Sequence, residues 1–117
     1  MQQYIDGFNN KDSKMLFSLF ADQAKIEDPV GGGKIVEGKP TILLFYQKAV
    51  TLVDKLELAA PIRGSYSNFT AMAFTIFMNI NGKDIRINCI DVMEFDNFGK
   101  ILEMKAFHGP GDLNEKG

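Results

Sequence analysis

Residues 84–95 read Asp84-Ile85-Arg86-Ile87-Asn88-Cys89-Ile90-Asp91-Val92-Met93-Glu94-Phe95. Successive side chains of a β-strand point to opposite faces, so Ile85, Ile87, Cys89, Asp91, Met93 and Phe95 share one side. That row is apolar except for Asp91. The other row, Asp84, Arg86, Asn88, Ile90, Val92 and Glu94, is mixed and turns polar toward its ends. The pattern predicts a strand with one apolar face and a carboxyl in the middle of it. An ionised carboxylate is costly to bury unless it is paired, so such a group finds a partner or stays neutral. A neutral carboxylic acid is a hydrogen-bond donor.

Strand signals continue on both sides of this stretch. Asp96-Asn97-Phe98-Gly99 is a turn, and residues 100–108 follow as a strand with Leu102, Met104, Ala106 and His108 on one face. Gly109-Pro110-Gly111 ends that strand, and residues 109–117 are expected as a loose tail. Upstream, Asn81-Gly82 is a hairpin signal. It closes a strand over residues 69–81 with Met72, Phe74, Ile76, Met78 and Ile80 on one face. A further strand is expected over residues 56–66.

The first half of the chain is helical in pattern. Residues 3–9 form a short helix with Tyr4 and Phe8 one turn apart, starting too near the terminus to have much holding its first turn. A second helix begins at the N-cap Asp12, with Met15, Leu16, Leu19 and Phe20 as its apolar stripe. The longest opens at Gly38-Lys39-Pro40 and carries Ile42, Leu43, Phe45, Tyr46, Ala49, Val50 and Val53 at helical spacing. Between them, residues 24–28 alternate as a strand with Ala24, Ile26 and Asp28 on one face. Pro29 keeps Asp28 extended. A turn over residues 30–33 leads to a brief strand over residues 34–37. The order predicts an α+β domain spanning residues 1–117, a cone-shaped curved antiparallel sheet wrapped around the N-terminal helices.

Composition narrows the function classes. The 117 residues carry a net charge of -2, which gives no reason to expect nucleic acid or an anionic membrane as partner. No apolar run reaches the ~18 residues of a membrane span. One Cys and one His build no zinc site of the usual kind, and no glycine loop has the form of a phosphate cradle, so neither metal nor cofactor is expected. The N-terminus shows no secretory signal and the single Cys suits a reducing compartment, so a cytoplasmic location is expected.

A cone of this kind encloses a pocket lined by Met72, Phe74, Met104 and two aspartates, Asp28 and Asp91. One carboxyl kept ionised as a base and another kept neutral as a donor is an arrangement for acid–base chemistry on a hydrophobic small molecule. Taken singly, each residue also has a structural explanation. Asp28 suits an Asx-turn before Pro29, Tyr4 suits a core ring with its hydroxyl at the surface, and His108 suits a strand end.

Two stretches taken together are more specific. Phe20-Ala21-Asp22-Gln23-Ala24-Lys25-Ile26-Glu27-Asp28-Pro29-Val30-Gly31 and Ile90-Asp91-Val92-Met93-Glu94-Phe95-Asp96 resemble the corresponding stretches of bacterial Δ5-3-ketosteroid isomerases. Those enzymes belong to the superfamily of nuclear-transport-factor-type, SnoaL-like cone folds. The resemblance runs from Tyr4 to about His108. It implies that Asp28 is a general base moving a proton from C4 to C6 of a steroid, through a dienolate. It implies that Tyr4 and protonated Asp91 form the oxyanion hole, with Tyr46 bonded to Tyr4. Met72, Phe74 and Met104 would be pocket wall. Phe20 stands where a tyrosine is common, and His108 stands where bulky apolar residues line the steroid pocket, so both are expected beside the substrate. Ketosteroid isomerases are known for a carboxylic acid kept neutral so that it donates a hydrogen bond.

Other functions fit the same fold. A polyketide cyclase-like relative would keep one Asp as base with different donors. An epoxide-hydrolase-like relative would want an Arg between two carboxylates, and Arg86 falls on the polar row. A non-catalytic ligand-binding dimer would have no need of the acid and base groups. The row Ala71, Ala73, Thr75 and Phe77 leaves the outer sheet face apolar, which predicts a homodimer, as the resemblance also implies.

Overall fold

The computed structural model describes residues 1–116, with side chains through Asn114. Two helices, α1 (Gln2–Asn9) and α2 (Ser13–Ser18), precede strand β1 (Phe20–Glu27) and the short β2 (Ile35–Glu37). Helix α3 (Lys39–Leu52) then leads into β3 (Val53–Leu58), β4 (Phe69–Ile80), β5 (Lys83–Phe95) and β6 (Ile101–Phe107). Asp12 caps α2, its Oδ1 accepting from the Met15 amide at 3.0 Å. Asn81 and Gly82 both take positive φ, 54° and 81°, as a two-residue hairpin turn between β4 and β5 requires.

The sheet order is β2-β1-β6-β5-β4-β3, with the α+β architecture and curvature expected. The β3–β4–β5–β6 part is an antiparallel meander, while β1 joins β6 in parallel. That parallel pairing corrects the expectation of a wholly antiparallel sheet. Helices α1 and α3 fill the concave face, burying Tyr4, Ile5 and Phe8 from one and Ile42, Tyr46 and Val50 from the other. The apolar row of β5 faces them, with Cys89, Asp91 and Met93 buried.

The structure departs from the sequence expectations at five points. Phe20 and Val53 open strands instead of closing helices, and β3 ends at Leu58, well short of residue 66. Strand β6 carries a bulge: Glu94 faces Glu103 but Phe95 faces Ile101, so Leu102 is the extra residue. The bulge turns Ile101 inward and Leu102 out, while Met104 and Ala106 stay buried. Residues 109–116 are also not a loose tail, and residue 117 lies outside the described residues. A 3-10 turn (Pro110–Asp112) leads to β7 (Leu113–Lys116), which pairs antiparallel with the first half of β5. Ile90 faces Phe107 of β6 and Ile87 faces Leu113 of β7. Residues 108–112 therefore bridge a break in the sheet beside Asn88 and Cys89.

Helix α1 is held more firmly than its length suggests. Asn9 forms a reciprocal clamp with β3, donating to the Leu56 carbonyl at 3.0 Å and accepting from the Leu56 amide at 2.8 Å. Lys11 Nζ adds bonds to the carbonyls of Val53 and Asp54. Tertiary contacts of this kind make a short helix persist where isolated propensity would not.

Candidate active site

Asp91 sits in the middle of β5, with Met72 of β4 and Ala106 of β6 as its neighbours across the sheet. All three side chains point into the cone and are buried; Asp91 is 2% exposed. Its Oδ1 accepts from the Cys89 thiol at 3.4 Å. No other group among the described residues bonds its carboxyl. Burial first, and the Asp28 charge second, push the Asp91 carboxyl up to about 8, against a smaller pull downward from the Cys89 bond. Asp91 is thus protonated at neutral pH and has a proton to donate. Burial, with Asp91 beside it, pushes the Cys89 thiol far up, so it stays a thiol.

Tyr4 reaches the same space from α1 and Tyr46 from α3. Their hydroxyls are 3.0 Å apart, and the rings meet edge to face with centroids 5.8 Å apart. Burial holds both phenols well above their ordinary range. Tyr46 also donates to the Met104 sulfur at 3.9 Å, a weak acceptor. Each hydroxyl has one proton, so with Tyr46 turned to Met104 it is Tyr4 that donates to Tyr46. An oxyanion beside Tyr4 would reverse the chain, since a charged acceptor outcompetes a thioether. Tyr46 would then donate to Tyr4, and Tyr4 to the ligand.

Asp28 follows directly on β1, continuing the inward row of Ala24 and Ile26, both of which are fully buried. Its Oδ1 lies 2.9 Å from Nε2 of His108, which extends β6 on the row of Met104 and Ala106. Tyr4, Asp28 and Asp91 all line one cavity of about 90 Å³, closed otherwise by apolar side chains from Phe8, Phe45, Ala49, Val53, Leu56, Phe74 and Ile76, with Cys89 completing the wall. The three residues named from the sequence as base and donors are therefore brought together. Of the expected wall, Phe74 is in place. Met72, Met104 and Phe20 are core residues behind it, and Phe20 lies against the Tyr46 ring at 5.5 Å instead of facing the cavity. His108 lines a second, open cleft of about 570 Å³, with which the inner cavity shares Phe74 and Cys89. The wall residues Phe45 and Ala49 of α3 and Val53 at the start of β3 recur every fourth position, a spacing present in the sequence.

The family model described as a SnoaL-like domain matches residues 1–104. The chain belongs to that family. Among curated proteins, the SnoaL-like chain is 32% identical to the steroid Delta-isomerase of Nocardioides simplex over 111 residues, 95% of this chain and 88% of that protein. Among solved structures, it matches the epoxide hydrolase/cyclase-like enzyme SalBIII, described with a role in pyran ring formation in polyether salinomycin. That match has a TM-score of 0.86 and 27% identity, and covers 97% of this chain and 90% of that one. These similarities support an isomerase- or cyclase-type enzyme. Among the described residues no cluster of His, Cys, Asp and Glu could hold a metal ion, and no helix is long and apolar enough to cross a membrane.

The raised Asp91 pKa has a consequence for stability. Below about pH 4 the carboxyl is protonated both folded and unfolded, so its contribution is intact. As pH rises the unfolded chain ionises first, and stability is lost until the folded pKa of about 8 is passed. Asp91→Asn has no charge to bury. Its stability relative to the wild type should therefore rise by roughly 4 kcal/mol from about pH 5 to about pH 9, at about 1.4 kcal/mol per unit. Urea unfolding of both proteins at the two pH values measures this. A pH-independent difference would mean that Asp91 is not held neutral.

Proposed function

We propose that this SnoaL-like chain is a Δ5-3-ketosteroid isomerase or acts on a closely similar β,γ-unsaturated ketone. One observation supports this above the others: a half-buried carboxylate, a buried tyrosine hydroxyl and a neutral buried carboxyl share the wall of one apolar cavity. Asp28 takes the proton from C4, and the C–H electron pair moves into the dienolate. Tyr4 and Asp91 donate to the oxygen at C3, where the negative charge develops. Asp28 then returns the proton to C6. Reactant and product are both neutral, and no co-reactant is needed. The steroid isomerase of Nocardioides simplex, as a relative, favours this substrate class. A cavity of about 90 Å³ holds one ring, and the rest of a steroid would extend beyond it. The test is conversion of a Δ5-3-ketosteroid, followed by the absorbance of the conjugated enone. Absence of turnover would sink the reading.

The likeness to an epoxide hydrolase/cyclase-like enzyme supports cyclisation as a second reading. An arginine bridge between carboxylates does not support it. Both arginines of the chain are exposed; Arg86 lies over the Phe77 ring and Arg63 pairs by its backbone with Ala71.

A homodimer is part of the proposal. On the convex face, Ala73, Ile90 and Phe107 lie side by side across three strands, with Val92 and Phe69 next to them. Ile90, Phe107 and Phe69 are each more than 40% exposed. A patch of that kind suits a second copy of the same sheet. Light scattering should give twice the chain mass of 13.1 kDa, and Ile90→Glu with Phe107→Glu should halve it. A monomeric wild type would refute the dimer. A single thiol and no bridge suit a reducing cytoplasm.

A further inference from the structure

We propose that His108 is a positioning residue for the base, acting through Asp28 and not on the reacting atoms. The inference rests on the isomerase reading and adds to it a residue that holds the carboxylate in place. His108 Nε2 and Asp28 Oδ1 are 2.9 Å apart, and this is the one hydrogen bond of the Asp28 side chain among the described residues. With Nε2–H donating, one carboxylate oxygen is occupied and the other is left for the substrate proton.

The pair is set by the backbone. Ile26 faces Met104 and Glu27 faces Lys105 in the parallel pairing of β1 with β6. Beyond Asp28, the Val30 amide donates to the Ala106 carbonyl at 2.9 Å. Asp28 is therefore fixed to β6 on both sides, and His108 follows two residues after Ala106. Such a contact does not depend on two long side chains meeting by chance. Both side chains are partly shielded, 21% exposed for His108 and 29% for Asp28, so water competes less for the bond than at the surface.

The cavities separate the two roles. Asp28 lines the inner cavity with Tyr4 and Asp91, whereas His108 lines the open cleft. A ligand ring in the inner cavity meets the carboxylate and not the imidazole. The sequence-based expectation placed His108 beside the substrate; its hydrogen bond is to the base. A carboxylate that swings freely spends less time aimed at the reacting carbon, and misplacement by about 1 Å can cost on the order of 10²-fold in rate. Loss of the imidazole should accordingly lower kcat and leave KM in place.

Three variants and one spectrum test this. His108→Phe keeps the ring volume without a donor, His108→Gln keeps a donor, and His108→Ala leaves a gap that opens on the cleft and admits imidazole. With a Δ5-3-ketosteroid, the Phe variant should lose roughly 10–100-fold in kcat with KM unchanged. The Gln variant should recover part of the loss. Added imidazole should restore the Ala variant and do nothing for Asp28→Asn. A raised KM with normal kcat in the Phe variant would make His108 a ligand contact and overturn the proposal. Equal losses in Phe and Gln without imidazole rescue would reduce it to packing. The chain has a single histidine, so its ring nitrogens can be read selectively by ¹⁵N NMR. The ring should carry its proton on Nε2 in the wild type and lose that preference in Asp28→Ala. A mixture of tautomers in the wild type overturns the proposal whatever the enzyme's substrate. A wild type with the Nε2 tautomer locked but no turnover of the ketosteroid keeps the pair and removes the isomerase reading instead.

Discussion

Asp28→Asn should lower kcat on a Δ5-3-ketosteroid by roughly 10²–10⁴-fold, the usual worth of a positioned general base. The amide has the shape of the carboxylate but no basic oxygen, so it cannot accept the C4 proton. Its carbonyl can still accept from His108 Nε2, and Asp28 makes no other side-chain hydrogen bond among the described residues. The fold should accordingly be preserved, with a melting temperature close to that of the wild type. Steady-state kinetics and a thermal melt on the same sample separate the two effects. Turnover at the wild-type rate would exclude Asp28 as the base. A rate loss accompanied by unfolding would be no support for it.

Asp91→Ala should cost on the order of 10²–10³-fold in kcat, the measured worth of an oxyanion donor in other enzymes. Asp91→Asn should cost less, because its amide N–H can donate where the protonated carboxyl did. The pH profile adds a signature. Neutral Asp91 is the donor and exists below its pKa, so the wild-type rate should fall as pH rises through about 8. The Asn variant should lack that limb. Groups able to move it are those facing Asp91 from the packed elements: Asp28 after β1, Tyr4 on α1, Tyr46 on α3 and Cys89 on β5 itself. Equal losses in Ala and Asn, or an alkaline limb that survives in Asn, would mean that Asp91 does not donate.

The inward placement of Asp91 and Asp28 was legible in the sequence because strand alternation is strict over short runs. Cys89, Asp91 and Met93 on one row, and Ala24, Ile26 and Asp28 on another, lie where period two puts them. The same rule failed on β6. A bulge adds one residue, and Leu102 went outward although it shares parity with Met104. Nothing local in residues 100–104 marks the bulge, since it depends on the register of the neighbouring strand. The partner of His108 was hidden for a related reason. Asp28 lies 80 residues away, and the two meet only because β1 and β6 run in parallel. That pairing follows from how the chain closes the cone, not from any short pattern. Strand β7 was missed because a polar stretch after Gly109-Pro110-Gly111 reads as an ending. It pairs only because β5 is longer than β6 and leaves an unfilled edge.

That leftover edge separates two kinds of evolutionary freedom. Strand β6 is registered on residues 90–95 of β5, and β7 independently on residues 84–87. Insertions or deletions between Gly109 and Asp112 would lengthen or shorten the rim of the outer cleft without sliding either strand. Asp28, Tyr4 and Asp91 sit on elements that such changes leave alone. Lineages descended from one such scaffold could therefore exchange one bulky ligand for another by altering loop length, while inheriting the proton-transfer groups unchanged.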